Sequence, residues 1–158
     1  MSIDCHLKLA GVSGEATHKD HKDEIEVLSW NWGVSNESYT TGGGSGKGKA
    51  TPGLFSIVKR MDKSSTTIAQ KCVSGKHFDT AVLTSAKSGD GQKDFLKITL
   101  KEVFIISYQV SGGSGADITE SVAMSYGDVE VGYKPQDEKG GLGGEVKVGW
   151  NVKTTELR

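Results

Sequence analysis

Residues 96–133 read LKITLKEVFIISYQVSGGSGADITESVAMSYGDVEVGY, and their alternation decides the fold. Apolar side chains recur at every second position: Leu96, Ile98 and Leu100, then Phe104, Ile106, Tyr108 and Val110, with Glu102 the interruption. Successive side chains on a strand point to opposite faces, so period two means a long, half-buried β-strand. Val103 to Ile106 is apolar on both parities. That predicts a strand half covered on both faces, at the centre of a sheet or under another element or a second copy. Gly112-Gly113-Ser114-Gly115 is a turn signal. On the return, Val122, Met124 and Tyr126 are even, whereas Val129, Val131 and Tyr133 are odd. One extra residue at Gly127-Asp128 keeps both sets on the core face, which predicts a β-bulge.

The same period runs outward in both directions. Ile3, Cys5, Leu7 and Leu9 alternate with Asp4, His6 and Lys8. Between Glu24 and Ser35, Leu28, Trp30, Trp32 and Val34 share one face, with Ser29 and Asn31 opposite. Leu54 to Arg60, Phe78 to Lys87 and Val146 to Val152 are further strands. One segment differs: Asp62 to Gly75 reads DKSSTTIAQKCVSG. Asp62, Ser64 or Ser65 can cap a helix there, and Gly75 can end it in the left-handed conformation. Ile68, Ala69, Cys72 and Val73 make one apolar stripe, enough to dock a short helix on a sheet. The expectation is one domain over residues 1–158, mainly β. It is a two-sheet antiparallel β-barrel or sandwich with one flanking short α-helix at about 64–74 and a long extended loop at 36–53.

Charge narrows the partners. Nineteen basic and 20 acidic residues leave a formal net charge of -1. That argues against nucleic acid or an anionic membrane surface as a partner. No apolar run reaches the length of a membrane span, so no direct membrane insertion is expected. The N-terminal MSIDCHLKLAG lacks the basic and apolar regions of a cleaved signal peptide, which predicts synthesis in the cytoplasm and any export by another route. Two cysteines, Cys5 and Cys72, have no metal-like spacing and are too few for a disulfide scaffold.

The motifs that carry chemistry fail on inspection. Gly42 to Lys49 reads GGGSGKGK, but a phosphate loop needs glycine at Thr41 and a hydroxyl residue at Gly48. Gly112 to Ala116 resembles a nucleophile elbow, yet it lacks the last glycine and joins two strands. His18 and His21, with Asp20, Asp23 and Glu24, could share a metal in a hydrolase. Their spacing matches no strong motif, and a solvated loop is the plainer reading. His6 and His77 stand alone. The reading is therefore not an enzyme, with no catalytic, cofactor-binding or metal residues assigned. What needs explaining is glycine: 22 residues, 14 of them in the tracts 42–53, 112–115 and 140–149. Asn36 to Gly53 is too long for a passive hairpin and reads as a binding element.

A family resemblance is carried by an ordered series of segments: HKDHKDEIEVLSWNWGVS (His18 to Ser35), the glycine loop, and MDKSSTTIAQKCVSGKHFDTAVLT (Met61 to Thr84). It continues through Ile98 to Gln136 and VGWNVKTTE (Val148 to Glu156). Together they resemble the hemolysin-coregulated protein (Hcp) family, which forms the tube of type VI secretion systems in Gram-negative bacteria. One departure is Ser64-Ser65-Thr66-Thr67, where the family pattern has a proline near Thr66. The resemblance implies a two-sheet barrel with a flanking helix. It also implies a homo-oligomer: hexameric rings stacked head to tail inside a contractile sheath behind a spike protein, with small effector proteins in the lumen. A secreted ring would then be found outside the cell as well as in the cytoplasm.

On that expectation, the loop is the segment long enough to bridge rings. Its stacking candidates are Tyr39, Thr40, Gly42, Gly43, Gly44, Ser45, Gly46, Lys47, Gly48 and Lys49. Asn31, pointing away from the tryptophan face, and Ser114, in a turn, are the candidates for the lumen. Lys97, Thr99, Lys101 and Glu102 on the long strand are a possible edge for the subunit interface.

Overall fold

A computed structural model describes residues 2–37, 49–88, 91, 93–137 and 141–158. The strands are β1 (Ile3–Leu9), β2 (Ile25–Asn31), β3 (Val34–Asn36), β4 (Ala50–Pro52), β5 (Phe55–Arg60), β6 (Phe78–Lys87), β7 (Asp94–Gly113), β8 (Ala116–Ser125), β9 (Asp128–Tyr133), β10 (Val146–Asn151) and β11 (Glu156–Leu157). Helix α1 (Ser65–Ser74) lies between β5 and β6.

Every strand pairing is antiparallel. The order β7-β6-β1-β2-β5-β8 closes on itself because β8 also pairs with β7. That is a six-stranded barrel, so the expected mainly-β barrel forms, with one flanking helix among the described residues. The twenty-residue β7 makes it possible. Its first half, Leu96 to Lys101, pairs with β9, and its second half, Phe104 to Gly113, pairs with β8. Strands β9, β10 and β11 thereby continue the sheet beyond the barrel. The core unites Leu7, Ile25, Phe55, Leu83, Leu100, Val103 and Met124 from all six barrel strands, together with Ile68 of α1.

Two phase changes correct the alternation read from sequence. Glu102 has φ 53° and sits where β7 exchanges β9 for β8. Beyond it the parity flips: Val103 and Ile105 are buried, and Ile106 is 52% exposed. A second register shift between Ile105 and Ser107 returns Tyr108 toward the inside. Leu28 is likewise a bulge, between Val27 and Ser29. It lies outside, which lets Val27, Trp30 and Trp32 all pack on the core. The parity slip at Gly127-Asp128 falls at the junction of β8 and β9 and leaves Tyr126 and Val129 both buried, but it is not the expected β-bulge: Phe104↔Ser125 and Lys101↔Asp128 keep one register, so no extra residue is inserted. The long strand is no edge. With β6 on one side and β9 on the other, Lys97, Thr99 and Lys101 have their ladders filled.

Helix α1 begins at Ser65 and ends where Gly75 takes φ 71° and its N–H bonds the Lys71 carbonyl. Ser64 occupies the N-cap position without a side-chain cap bond, while the Asp62 carboxylate accepts the Ser64 N–H at 2.9 Å. The apolar stripe is narrower than the sequence implied. Ile68 is fully buried and Cys72 packs on the core, but Val73 is 90% exposed. The loop at 36–53 is also shorter than expected. Val34↔Pro52, Ser35↔Thr51 and Asn36↔Ala50 pair as a two-stranded ribbon, so the chain leaves the barrel as an arm. Pro52 hid this, since proline is tolerated only at strand ends and edges.

Candidate assembly surfaces

The arm is fixed at its base by a polar relay. Trp32 donates its indole N–H to the Tyr126 hydroxyl at 2.5 Å, and that hydroxyl donates to the Gly53 carbonyl at 2.7 Å. The Gly53 N–H bonds the Gly33 carbonyl at 2.8 Å, and a Cβ on Gly53 would lie 2.5 Å from that oxygen. Only glycine permits so close a crossing. Beside the base is an apolar groove of about 350 Å³, lined by Trp32, Val34, Ala50, Val131, Val148 and Leu157 among others. Val34, Val148 and Leu157 are exposed there. Of the stacking candidates, Lys49 is exposed immediately before β4. Tyr39, Thr40, Gly42, Gly43, Gly44, Ser45, Gly46, Lys47 and Gly48 lie outside the described residues.

A second surface is the outer face of β2, β5, β8 and the second half of β7. Cross-strand register places Ser29, Val58, Ser121 and Gln109 in one row. Asn31, Ser56, Ala123 and Ser107 form the next. These eight residues surround a shallow hollow of about 250 Å³ and include no charge. Asn31 is exposed in it, as its parity required. Ser114 is exposed too, but in the β7–β8 turn. It lies beyond six residues of strand from Ser107, roughly 20 Å away, so the two candidates do not meet.

Two charges of these strands are inside, while Glu26, Arg60 and Asp117 stay exposed toward one end. On β5 the core parity runs Phe55, Ile57, Lys59, and on β8 it runs Met124, Val122, Glu120. Lys59 and Glu120 are fully buried and 2.5 Å apart. Lys59 also reaches Asp62 at 3.1 Å and donates to the Ser65 hydroxyl at 3.0 Å. Ser65 donates to Glu120 at 2.8 Å, and Tyr108 donates to the other Glu120 oxygen. Burial, reinforced by the Glu120 carboxylate, pushes the Tyr108 phenol up to about 12. The network ties α1 to the barrel wall. Sequence reading missed it, although Lys59 and Glu120 both sit on core parity, a signal of paired buried charge.

The histidine–carboxylate run does not assemble as a metal centre. Among the described residues no group of three His, Cys, Asp or Glu side chains is placed to hold a metal ion. Cys5 and Cys72 are both free thiols. His6, read as isolated, in fact stacks on His21 with ring centroids 4.7 Å apart.

The chain is thus a closed antiparallel β-barrel protein with a paired arm and a flanking helix. The family described as "Type VI secretion system effector, Hcp" matches residues 6–133, and the chain belongs to that family. It is 42% identical over 157 residues to "Protein hcp1" of Pseudomonas aeruginosa, covering 97% of each chain. Among solved structures it is similar to one described as a type six secretion system protein, with TM-score 0.94, 32% identity and coverage of 99% and 100% of the two chains. It is also similar to Hcp1 from Salmonella typhimurium, with TM-score 0.81, 27% identity and 100% of both chains covered.

Proposed function

We propose that this chain is a non-enzymatic building block of the type VI secretion tube. It forms homohexameric rings that stack head to tail, with the arm from β3–β4 contacting the next ring. The observation that carries the reading is the arm with the apolar groove at its base. In the ribbon of three pairs, β3 is exposed along its whole length and β4 at Thr51, and Val34, Val148 and Leu157 around the groove are exposed as well. Exposed apolar surface around a protruding element is what an assembly contact needs.

The two charge-free rows of that outer face favour a second part of the same reading: they line the ring's lumen and touch small effector proteins. Neutral, short side chains present hydrogen-bonding groups and backbone without selecting the sign of a cargo's charge. The ring's other partners are then the spike protein and the contractile sheath. It is made in the bacterial cytoplasm and leaves with the tube. Nucleic acid, cofactors and metals have no part in this function.

Native mass of the purified protein tests the first claim. A hexamer is the expected result, and a strict monomer at high concentration overturns it. Deleting Gly42 to Gly48 is expected to leave hexamers while impairing stacking. Tubes of unchanged length by electron microscopy would remove the arm from the contact. Replacing Asn31 with Glu, with rings intact, is expected to lower effector retention.

A further inference from the structure

The chain between β1 and β2, residues 10–24, doubles back as a strap over the outer face of β1. Its limbs are joined by backbone bonds: Gly14 N–H to the Asp23 carbonyl at 2.7 Å, Ala16 N–H to that of Glu24 at 2.9 Å, and Asp23 N–H to that of Ala16 at 2.9 Å. Beneath it lies His6, on the outward parity of β1 yet only 5% exposed. In the ladder His6 stands between Glu26 of β2 and Thr84 of β6. The Thr84 hydroxyl is buried without a hydrogen-bond partner.

Three imidazoles close the strap. His21 places Nδ1 at 3.1 Å from both Glu24 carboxylate oxygens and Nε2 at 2.9 Å from Asp94 on β7. A ring nitrogen facing a carboxylate must donate, and with both doing so His21 is an imidazolium. His6 lies face to face with it, 4.7 Å away at 12°. His18 tilts against both, at 5.2 and 5.3 Å. A second positive ring in this stack would meet the first at contact distance and away from water.

We propose that the His6–His18–His21 stack is a proton-operated latch: with His6 neutral the strap stays closed on β1, and protonation of His6 releases it. The electrostatics agree. Burial, then the charges of His21 and His18, hold the His6 imidazole below the usual histidine value, against the opposing pull of Glu24 and Asp4. For His21, burial opposes charge, but the bonds to Asp94 and Glu24 outweigh it and raise the value. Around the stack, β1 contributes Asp4 and Lys8, β2 contributes Glu26, β5 contributes Arg60, and β7 contributes Asp94, with Lys97 across from Thr84. The strap itself carries Lys19, Asp20, Lys22, Asp23 and Glu24.

The sign follows. A lowered His6 value stabilises the closed strap above pH about 6.5, and that contribution is lost as pH falls. The raised His21 contributes below the same pH and is lost only as pH rises through its folded value. His6 is therefore the group that opens the latch as pH falls.

Hydrogen exchange tests this directly. At about pH 5, protection of the Ala16, Asp23 and Glu24 amides is expected to fall severalfold relative to about pH 7.5. The β1–β6 ladder should keep its protection. Unchanged strap protection, or strap and ladder failing together, overturns the proposal. In His6→Gln the strap should stay protected at the acid pH, and a drop equal to the wild type's counts against it. NMR titration of the wild-type imidazoles stands independently of that variant folding. His6 must titrate below His21, and the reverse order sinks the latch.

Discussion

Two outer faces of one sheet differ in chemistry although β7 runs through both. Around β9, β10 and the first half of β7, the outward residues include the exposed Lys97, Lys101 and Lys147 and the half-buried Asp128 and Glu130. Arg158 grips Asp128 with two bonds of 2.8 and 2.7 Å, and Lys147 lies 3.5 Å from Glu130. That is how a solvated sheet face looks. Around β2, β5, β8 and the second half of β7, the rows from Ser29 to Gln109 and from Asn31 to Ser107 carry no charge. Lys59 of β5 and Glu120 of β8 are on the other side, inside the barrel, whereas Arg60 and Asp117 pair in solvent at the end of these strands, beyond the uncharged rows. Ordinary solubility would place Lys and Glu outward and Ser inward. The inversion teaches that this face is shaped for something other than water, while the charged pair fixes the helix.

The largest effect should come from attacking the inner half of that inversion. Glu120→Ala leaves the Lys59 ammonium buried with only Asp62 and Ser65 near it. The expected loss is about 3–5 kcal/mol of folding stability, read as a lower urea midpoint. Lys59→Met combined with Glu120→Leu should recover most of that loss, because matched apolar groups replace both charges. A double variant no better than Glu120→Ala would show that the network does more than compensate its own burial. Next comes the arm base. Tyr126→Phe strands the Trp32 indole N–H and the Gly53 carbonyl, at a cost of about 1–3 kcal/mol. Chemical denaturation measures it.

The outer half is tested by adding charge. Ser56→Asp and Ser121→Asp fall on exposed or half-buried positions and should change monomer stability by less than about 0.5 kcal/mol. They should nevertheless weaken ring assembly or effector retention, measured by native mass and co-purification. Thr99→Asp, on the charged face, should do neither. If all three behave alike, the comparison between the faces has no functional content.

How much of this was legible in the sequence depends on what each residue had to reveal. Parity alone located every barrel strand, the break at Gly127 and the outward direction of Asn31. It failed where the backbone changes phase without a glycine to announce it. Glu102 adopts φ 53° despite its side chain, and Leu28 bulges out of a regular apolar series. Both read as ordinary members of an alternation. The ribbon escaped because three pairs formed by Val34 to Asn36 and Ala50 to Pro52 carry too little pattern to be seen. His6 looked isolated because its partners are brought to it by the strap, a contact distant in sequence from the strand it covers. Lys59 and Glu120 were visible as core-parity charges, and only the register of β5 against β8 shows that they face each other.

The smallest effect lies at alkaline pH, where the inner network meets solvent through Tyr108. Its phenol is raised from 10.0 to about 12 by burial and by the Glu120 carboxylate it donates to. A value raised on folding stabilises the fold below pH about 10, and the contribution disappears as pH climbs toward about 12. Tyr126 is raised as well, by burial, with the Trp32 bond working against it. Wild-type stability should therefore decline across that window. Tyr108→Phe should flatten part of the decline, leaving the part due to Tyr126, and the double Phe variant should flatten more. Urea midpoints measured from neutral to strongly alkaline pH decide it. An unchanged slope in Tyr108→Phe would mean that its hydroxyl is not coupled to Glu120 in solution, and the charged interior of β5 and β8 would end at Lys59, Asp62 and Ser65.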